Sequence, residues 1–257
     1  MEVNVSVLYK ILSYFKTLFW KNNKIIYINS NKKIQCKDNI DSLTKTNDYQ
    51  WVICQFSYKG KFNFNNYKIH FFKMRKHLYD ISRNSKNFNE LTYSGFVSPM
   101  FAIFDGYILG DNKKYCFIDC GSDNSHPYKI NYSKSNKKTK VSNKPSTDIV
   151  NVIFACSFDI NNIDDQNDKY IFSAKSGDKV SKKYLQDVFN FAKNVFDICR
   201  NVKRINLFVA AKQPISFIIG TAIQSYHPLI YAYELINGEY KFSLCIQTGK
   251  LEEKKYG

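Results

Sequence analysis

Lys212 and Gln213 stand where an apolar run, Ile205 to Ala210, gives way to a segment opened by Pro214. That junction predicts a strand leading into a helix N-terminus, where free backbone N–H groups and the positive end of the helix dipole favour an anion. A lysine adds a point charge there and an amide adds a donor, so the pair suits a phosphate. Ser94 and Ser98 take the matching place ahead of Pro99, where hydroxyls either bond a ligand or cap the helix. Ser157 and Phe158 follow the apolar run Ile149 to Cys156, at the end of another expected strand. From there Phe158 would stack on a base or anchor a loop. His126, Tyr128 and Lys129 form a polar-aromatic cluster fit for base stacking and phosphate contact.

Bond-breaking chemistry has no comparable support. The sequence holds no phosphate-cradling loop of the Walker type, no G-x-S-x-G elbow, no H-E-x-x-H and no C-x-x-C pair. Cys116 and Cys120 are spaced like half a metal knuckle but lie along an apolar run without a second pair. The histidines, His70, His77, His126 and His227, have no metal or triad spacing, and Asp164-Asp165 reads as a solvated turn. A binding protein with no catalytic residues, metal or cofactor is the expectation.

The charge agrees with an anionic partner. Lys and Arg number 38 against 22 Asp and Glu, a formal +16 that repels itself in a compact state. Abundant Lys, Asn, Ile and Tyr also fit an AT-rich coding bias, so charge alone does not decide the matter. The cysteines sit in apolar runs such as Val52-Ile53-Cys54 and read as buried hydrophobes of a reducing compartment. With no signal peptide at the start, the expected location is cytoplasmic. Between Val7 and Trp20, Leu8, Ile11, Leu12, Phe15, Leu18 and Phe19 recur at helical spacing. The stretch is too short to span a bilayer, so a docking helix and no membrane span are expected.

The elements that would position these residues are α and β in alternation. Lys24 to Asn29 and Gln50 to Tyr58 read as strands, residues 59–68 as a hairpin or loop, and 73–82 as a helix. An apolar segment from Phe96 to Leu109 and a strand from Lys114 to Cys120 follow. Asn131 to Asp148, dense in Ser, Asn and Lys, reads as a linker. Beyond it come strands at 149–156 and 169–174, then a helix from Ser181 to about Arg200 with a clean apolar stripe. A strand at 205–210, a helix at 214–224 and a strand at 229–235 continue the order, and Asn237-Gly238 turns the chain into an antiparallel strand at 240–247. Alternation of this kind predicts a Rossmann-like parallel sheet covered on both faces, with ligands beyond the carboxyl ends of its strands.

The two halves repeat one another. Tyr93-Ser94-Gly95-Phe96-Val97-Ser98-Pro99, an apolar helix through Gly106 to Gly110, and Tyr115-Cys116-Phe117-Ile118-Asp119 make the first unit. Phe208-Val209-Ala210-Ala211-Lys212-Gln213-Pro214, an apolar helix past Gly220, and Ile230-Tyr231-Ala232-Tyr233-Glu234 make the second. The expected organisation is a weakly patterned N-terminal segment (1–70), a first unit (71–130), a linker (131–148) and a second unit (149–257), with a pseudo-twofold pocket between the units.

Over about residues 70 to 250 this pattern resembles the SAVED domain, most closely from Leu207 to Tyr233, through Ala-Ala-x-x-Pro and the glycine-bearing helix. The resemblance implies two fused CARF-like, Rossmann-like units of an α/β fold and a sensor of the CBASS and type III CRISPR anti-phage systems. It implies a cyclic di- to tetranucleotide as ligand, with signalling through ligand-driven assembly of like chains or an effector protein supplied in trans. A basic single-stranded nucleic-acid binder, and a protein that cleaves or sequesters cyclic nucleotides, are the alternatives that the residues leave open.

Overall fold

The computed structural model of the chain describes residues 24–30, 49–55, 63–83, 90–110, 114–119, 128–133, 143–161, 163, 166–177, 179–253 and 256. In the first half, β1 (Lys24–Ser30), β2 (Tyr49–Gln55), α1 (Phe64–Arg83), β3 (Glu90–Phe96), α2 (Pro99–Leu109), β4 (Lys114–Asp119) and β5 (Tyr128–Tyr132) follow in turn. In the second, β6 (Ile149–Ala155), β7 (Asp168–Phe172), α3 (Lys182–Ile198), β8 (Arg204–Ala210), α4 (Gln213–Thr221), β9 (Leu229–Ile236), β10 (Glu239–Cys245) and β11 (Lys250–Glu253) do so.

Each half folds its strands into one sheet, in the same topology. The first sheet runs β2-β1-β3-β4-β5 and the second β7-β6-β8-β9-β10-β11. All pairings are parallel up to the fourth strand of each unit, and the fifth returns antiparallel. Lys24 lies opposite Glu90, and Ile149 opposite Arg204, so the units share register as well as order. These are two fused Rossmann-like units related by a pseudo-twofold.

Helices α2 and α4 make the junction. Both are apolar nearly all round and buried nearly throughout, which suits a helix enclosed on every side. Gly106 follows Glu90, and Gly220 follows Arg204, by sixteen residues each. A Cβ on Gly106 would stand 2.0 Å from the Phe217 carbonyl oxygen, and one on Gly220 would stand 2.0 Å from that of Ile103. Neither site has room for a side chain, so the helices pack backbone against backbone. Further along, a Cβ on Gly110 would stand 2.9 Å from Thr221 Cα. Gln213 at the start of α4 meets Val97 just ahead of α2, and Gly110 at the end of α2 meets Thr221 at the end of α4, so the helices run parallel with their N-termini side by side.

Helix α3 follows the apolar stripe, burying Leu185, Val188, Phe189, Ala192, Val195 and Phe196, and the Ser181 hydroxyl caps it by accepting from Tyr184 N. Asn237 and Gly238 take positive φ (52° and 81°) in the turn between β9 and β10, as that dipeptide favours.

Several elements differ from the sequence reading. Helix α1 starts at Phe64, inside the stretch read as hairpin or loop. Asn63 Oδ1 accepts from Asn66 N at 2.9 Å, and Tyr67 packs on Phe101 with ring centroids 4.4 Å apart. A cap and a buried ring outweigh the poor helix propensity of Asn65-Asn66. Asn131 and Tyr132, read as the start of the linker, finish β5, whose Ile130 and Tyr132 face the core. Strands β1 and β2, read as a separate N-terminal segment, pair into the sheet of β3. Among the described residues, helices cover the second sheet on one face. On the other, Ile153, Ile163, Phe208, Tyr233 and Tyr240 form an aromatic cluster with Tyr256 packed on it. The N-terminal stretch 7–20 and linker residues 134–142 lie outside the described residues.

Gly220→Ala is expected to cost about 3 kcal/mol, because two backbones must separate to admit one methyl. Gly177→Ala is the control: its φ is +64° with nothing near the site, so it should cost only about 1 kcal/mol of strain. Urea denaturation of both variants checks this, and equal losses would contradict the junction described.

Candidate ligand-binding site

The ends of β3, β6 and β8 converge over the paired N-termini of α2 and α4. At the end of β8 the chain passes through Ala211 to Lys212, the N-cap residue of α4, whose carbonyl accepts from Ile215 N (3.0 Å) and Ser216 N (3.1 Å). Gln213 reaches across the junction, its Nε2 donating to the Val97 carbonyl at 3.1 Å. That bond ties the start of α4 to the turn that carries Ser98, the N-cap residue of α2. After β6, Cys156 N and Ser157 N both donate to the Ala210 carbonyl (2.9 and 2.8 Å), which holds the Ser157-Phe158 loop against the end of β8. Phe158 leaves 52% of its surface exposed. Ser98, Lys212, Gln213, Ser157 and Phe158 thus border one mouth, with Lys212 and Gln213 half-buried at its floor.

Ser94 is buried within the sheet, and its hydroxyl donates to the Ile118 carbonyl at 2.8 Å. Tyr128 is half-buried, with its hydroxyl donating to Asp119 Oδ2 and accepting from Val180 N, each at 2.8 Å. Its ring remains available to Lys179, whose Nζ stands 6.0 Å from the centroid. Lys129 is exposed on β5, and His126 lies outside the described residues. Ser98 makes no side-chain cap bond to α2.

Sequence reasoning noted the acids that end the fourth strands but gave them no role at the site. In the structure both bridge the units. Asp119 of the first unit is joined through Tyr128 to Val180 of the second. Glu234 of the second sits beside Ser98 and Tyr67 of the first. Burial raises the Glu234 carboxyl to about 7, while the Ser98 and Tyr67 hydroxyls draw it back towards ionisation. The mouth is therefore not symmetric: a lysine marks one helix start and a carboxyl readily neutralised marks the other. The matched acids in the repeat were the signal for these bridges. Their partners, far along the chain, carry no local mark.

A buried polar network holds α2 in place beneath the mouth. Asn29 Nδ2 and the Tyr93 hydroxyl both donate to Asp105 Oδ2 at 2.7 Å. His70 Nε2 lies 3.0 Å from Asn29 Oδ1 and donates to it, since the amide oxygen is an acceptor. Desolvation pushes Asp105 up to about 7 against the pull of the Asn29 and Tyr93 bonds. Desolvation, helped by Lys73, pushes His70 down to about 4. Cys156 adjoins the mouth, but burial lifts its thiol to about 11, far from a nucleophile's range. Among the described residues, no group of three or more His, Cys, Asp or Glu is gathered as for a metal ion. No described helix is long and apolar enough to cross a membrane.

Duplicated Rossmann-like units meet at parallel helices, with loops converging on their N-termini, in a pseudo-twofold architecture. The sequence over residues 74–247 matches the SMODS-associated and fused to various effectors sensor domain, SAVED, and the chain belongs to that family. The match starts within α1, so β1 and β2 precede it. No curated protein matches in sequence. Among solved structures, the chain is similar to the Acinetobacter baumannii Cap4 SAVED/CARF-domain containing receptor with the cyclic trinucleotide 2'3'3'-cAAA. The TM-score is 0.51 and the identity 13%, over 91% of this chain and 53% of that one. The same receptor with 3'3'3'-cAAA gives a TM-score of 0.51 and 15% identity, over 84% of this chain and 49% of that one. The likeness lies in the fold, and this chain spans about half the length of those receptors.

Asp105 supplies a test of the network. Its folded pKa lies above the unfolded value, so its stabilising contribution is full below about 4 and lost as pH rises through about 7. His70, with a lowered pKa, acts in the opposite sense, its contribution disappearing as pH falls from about 6.5 to about 4. Asp105→Asn removes the first slope and leaves the second. Denaturation at either end of that window should show the variant gaining on the wild type as pH rises. A difference independent of pH would mean that Asp105 does not titrate there.

Proposed function

We propose that this chain is a sensor that binds a cyclic oligonucleotide of two to four nucleotides across the mouth between its units, in the cytoplasm, as part of anti-phage defence. The observation that carries the reading is the side-by-side placement of two parallel helix N-termini with Lys212 at one of them. Both positive dipole ends point the same way, and a ring of phosphates supplies the charge that offsets them. Phe158, exposed at the rim, offers a face for a base. Gln213, already bonded to the Val97 carbonyl, would pass a change at the mouth from one unit to the other.

Family membership and the cyclic trinucleotides seen with the Cap4 receptors support this ligand class. The ligand is held rather than cut in this reading. The output is a change in assembly, or engagement of an effector supplied in trans.

Lys212→Glu should weaken binding of the preferred cyclic oligonucleotide by at least about tenfold, a lost attraction plus a new repulsion. The wild type should bind it with a shallow logarithmic salt slope of about one to three, set by its few phosphates. Titrations over a salt series, against a panel of cyclic di-, tri- and tetranucleotides and linear strands, test both. Preference for linear strands with a steep slope would replace this reading with that of a nucleic-acid binder.

A further inference from the structure

Helices α1 and α3 hold equivalent places in the two units, which makes each a control for the other. Helix α3 balances three cations with two acids and leaves no large apolar side chain exposed. Helix α1 carries five cations against one acid, and Ile69 (47%), Phe72 (54%) and Tyr79 (38%) stand exposed along it. A solvated outer face explains α3 and does not explain α1, where apolar surface is interleaved with charge.

Beside this face lies a cleft of about 310 Å³ between α1 and the turn leading into β11. Phe71, Phe72 and Leu251 give it apolar walls, and Lys68, Arg75 and Lys250 ring it with positive charge. Gly249 forms part of the wall with φ +64°, and a Cβ there would touch the Arg75 guanidinium at 3.4 Å. The Arg75 guanidinium carbon is 5.4 Å from the Tyr79 ring centroid, and Lys68 Nζ is 6.0 Å from that of Phe72. Among the described residues neither Lys68 nor Arg75 has a carboxylate partner, whereas Lys250 pairs with Glu252 at 2.6 Å.

We propose that this cleft and the adjoining face of α1 are a docking site for an acidic polypeptide segment with a large apolar anchor. The concave apolar floor takes the anchor, and Lys68 and Arg75 receive carboxylates on either side. A peptide is favoured because the cleft between Phe71, Phe72 and Leu251 admits an apolar side chain with cations on either side of it; stacking of a nucleic acid on Phe72 and Tyr79 is an outcome of the displacement test. The site is separate from the mouth and does not depend on what the mouth binds.

The probe is a fluorescein-labelled peptide with a Glu/Asp tract around a central Phe-Leu pair, followed by polarisation on the full chain. Saturable binding is expected, weakened by at least about tenfold in Lys68→Glu/Arg75→Glu and in Phe72→Ser. Replacing the Phe-Leu pair by Ser-Ser should weaken it similarly. All three protein positions are wholly or partly exposed, so thermal unfolding of the variants should match the wild type. No saturable binding overturns the proposal, as does unchanged binding by the variants or by the Ser-Ser peptide. Displacement of the peptide by oligo-dT or anionic vesicles at lower concentration would assign the face to nucleic acid or membrane, and equally overturns it.

Discussion

Two parallel helices touching through their backbones place a demand on everything around them. Parallel dipoles side by side repel, and the contact between α2 and α4 survives only because Gly106 and Gly220 let the carbonyls of Phe217 and Ile103 approach where a side chain would stand. The sheets then pack outside this pair. Tyr93, Tyr115 and Phe117 of the first sheet pack tilted or edge-on around Phe217 of the second unit's helix, with centroids 4.5 to 5.5 Å away. The junction is thus a core in its own right, and its geometry fixes where the strand ends must open. Positive potential gathers at that opening for the same reason that the helices repel.

Duplication has not made the halves equal. The place of Asp105 in α2 is taken by Ile219 in α4, each fifteen residues after the start of its central strand. Only the first unit therefore holds its inner helix through a buried carboxyl, with Asn29, Tyr93 and His70 around it. The second unit has its own polar cluster on the outer face of its sheet, where Asn206 Nδ2 donates to Asn151 Oδ1 at 2.9 Å and Arg204 Nε donates to Asn206 Oδ1 at 2.7 Å. At the mouth the difference continues, with Lys212 at one helix start and Glu234 beside the other. The two sides of the mouth therefore present unlike groups.

The second half was readable in outline because its signals are local. The α3 stripe, the Ser181 cap and the Asn237-Gly238 turn each lie within a few residues of what they determine. Strand ends were equally plain, so the positions of Ser98, Lys212, Gln213, Ser157 and Phe158 just beyond them could be read from the sequence. Ser94 shows the limit. Successive strand residues face opposite sides of a sheet, and which side is decided by pairing with β1 and β4 rather than by composition. The start of α1 was hidden by the Asn-rich sequence and revealed by Phe101 and Phe242, against which Tyr67 packs. Bridges such as Asp119 to Tyr128 to Val180 join residues from different units. No spacing rule reaches that far.

The central claim is that both units contribute to a single mouth. Calorimetric titration with the cyclic oligonucleotide that binds best measures this directly, through its stoichiometry. One ring bound per chain is the predicted result, since the floor is made of one α2 and one α4. Two rings per chain would mean that each unit binds alone, and would contradict the account.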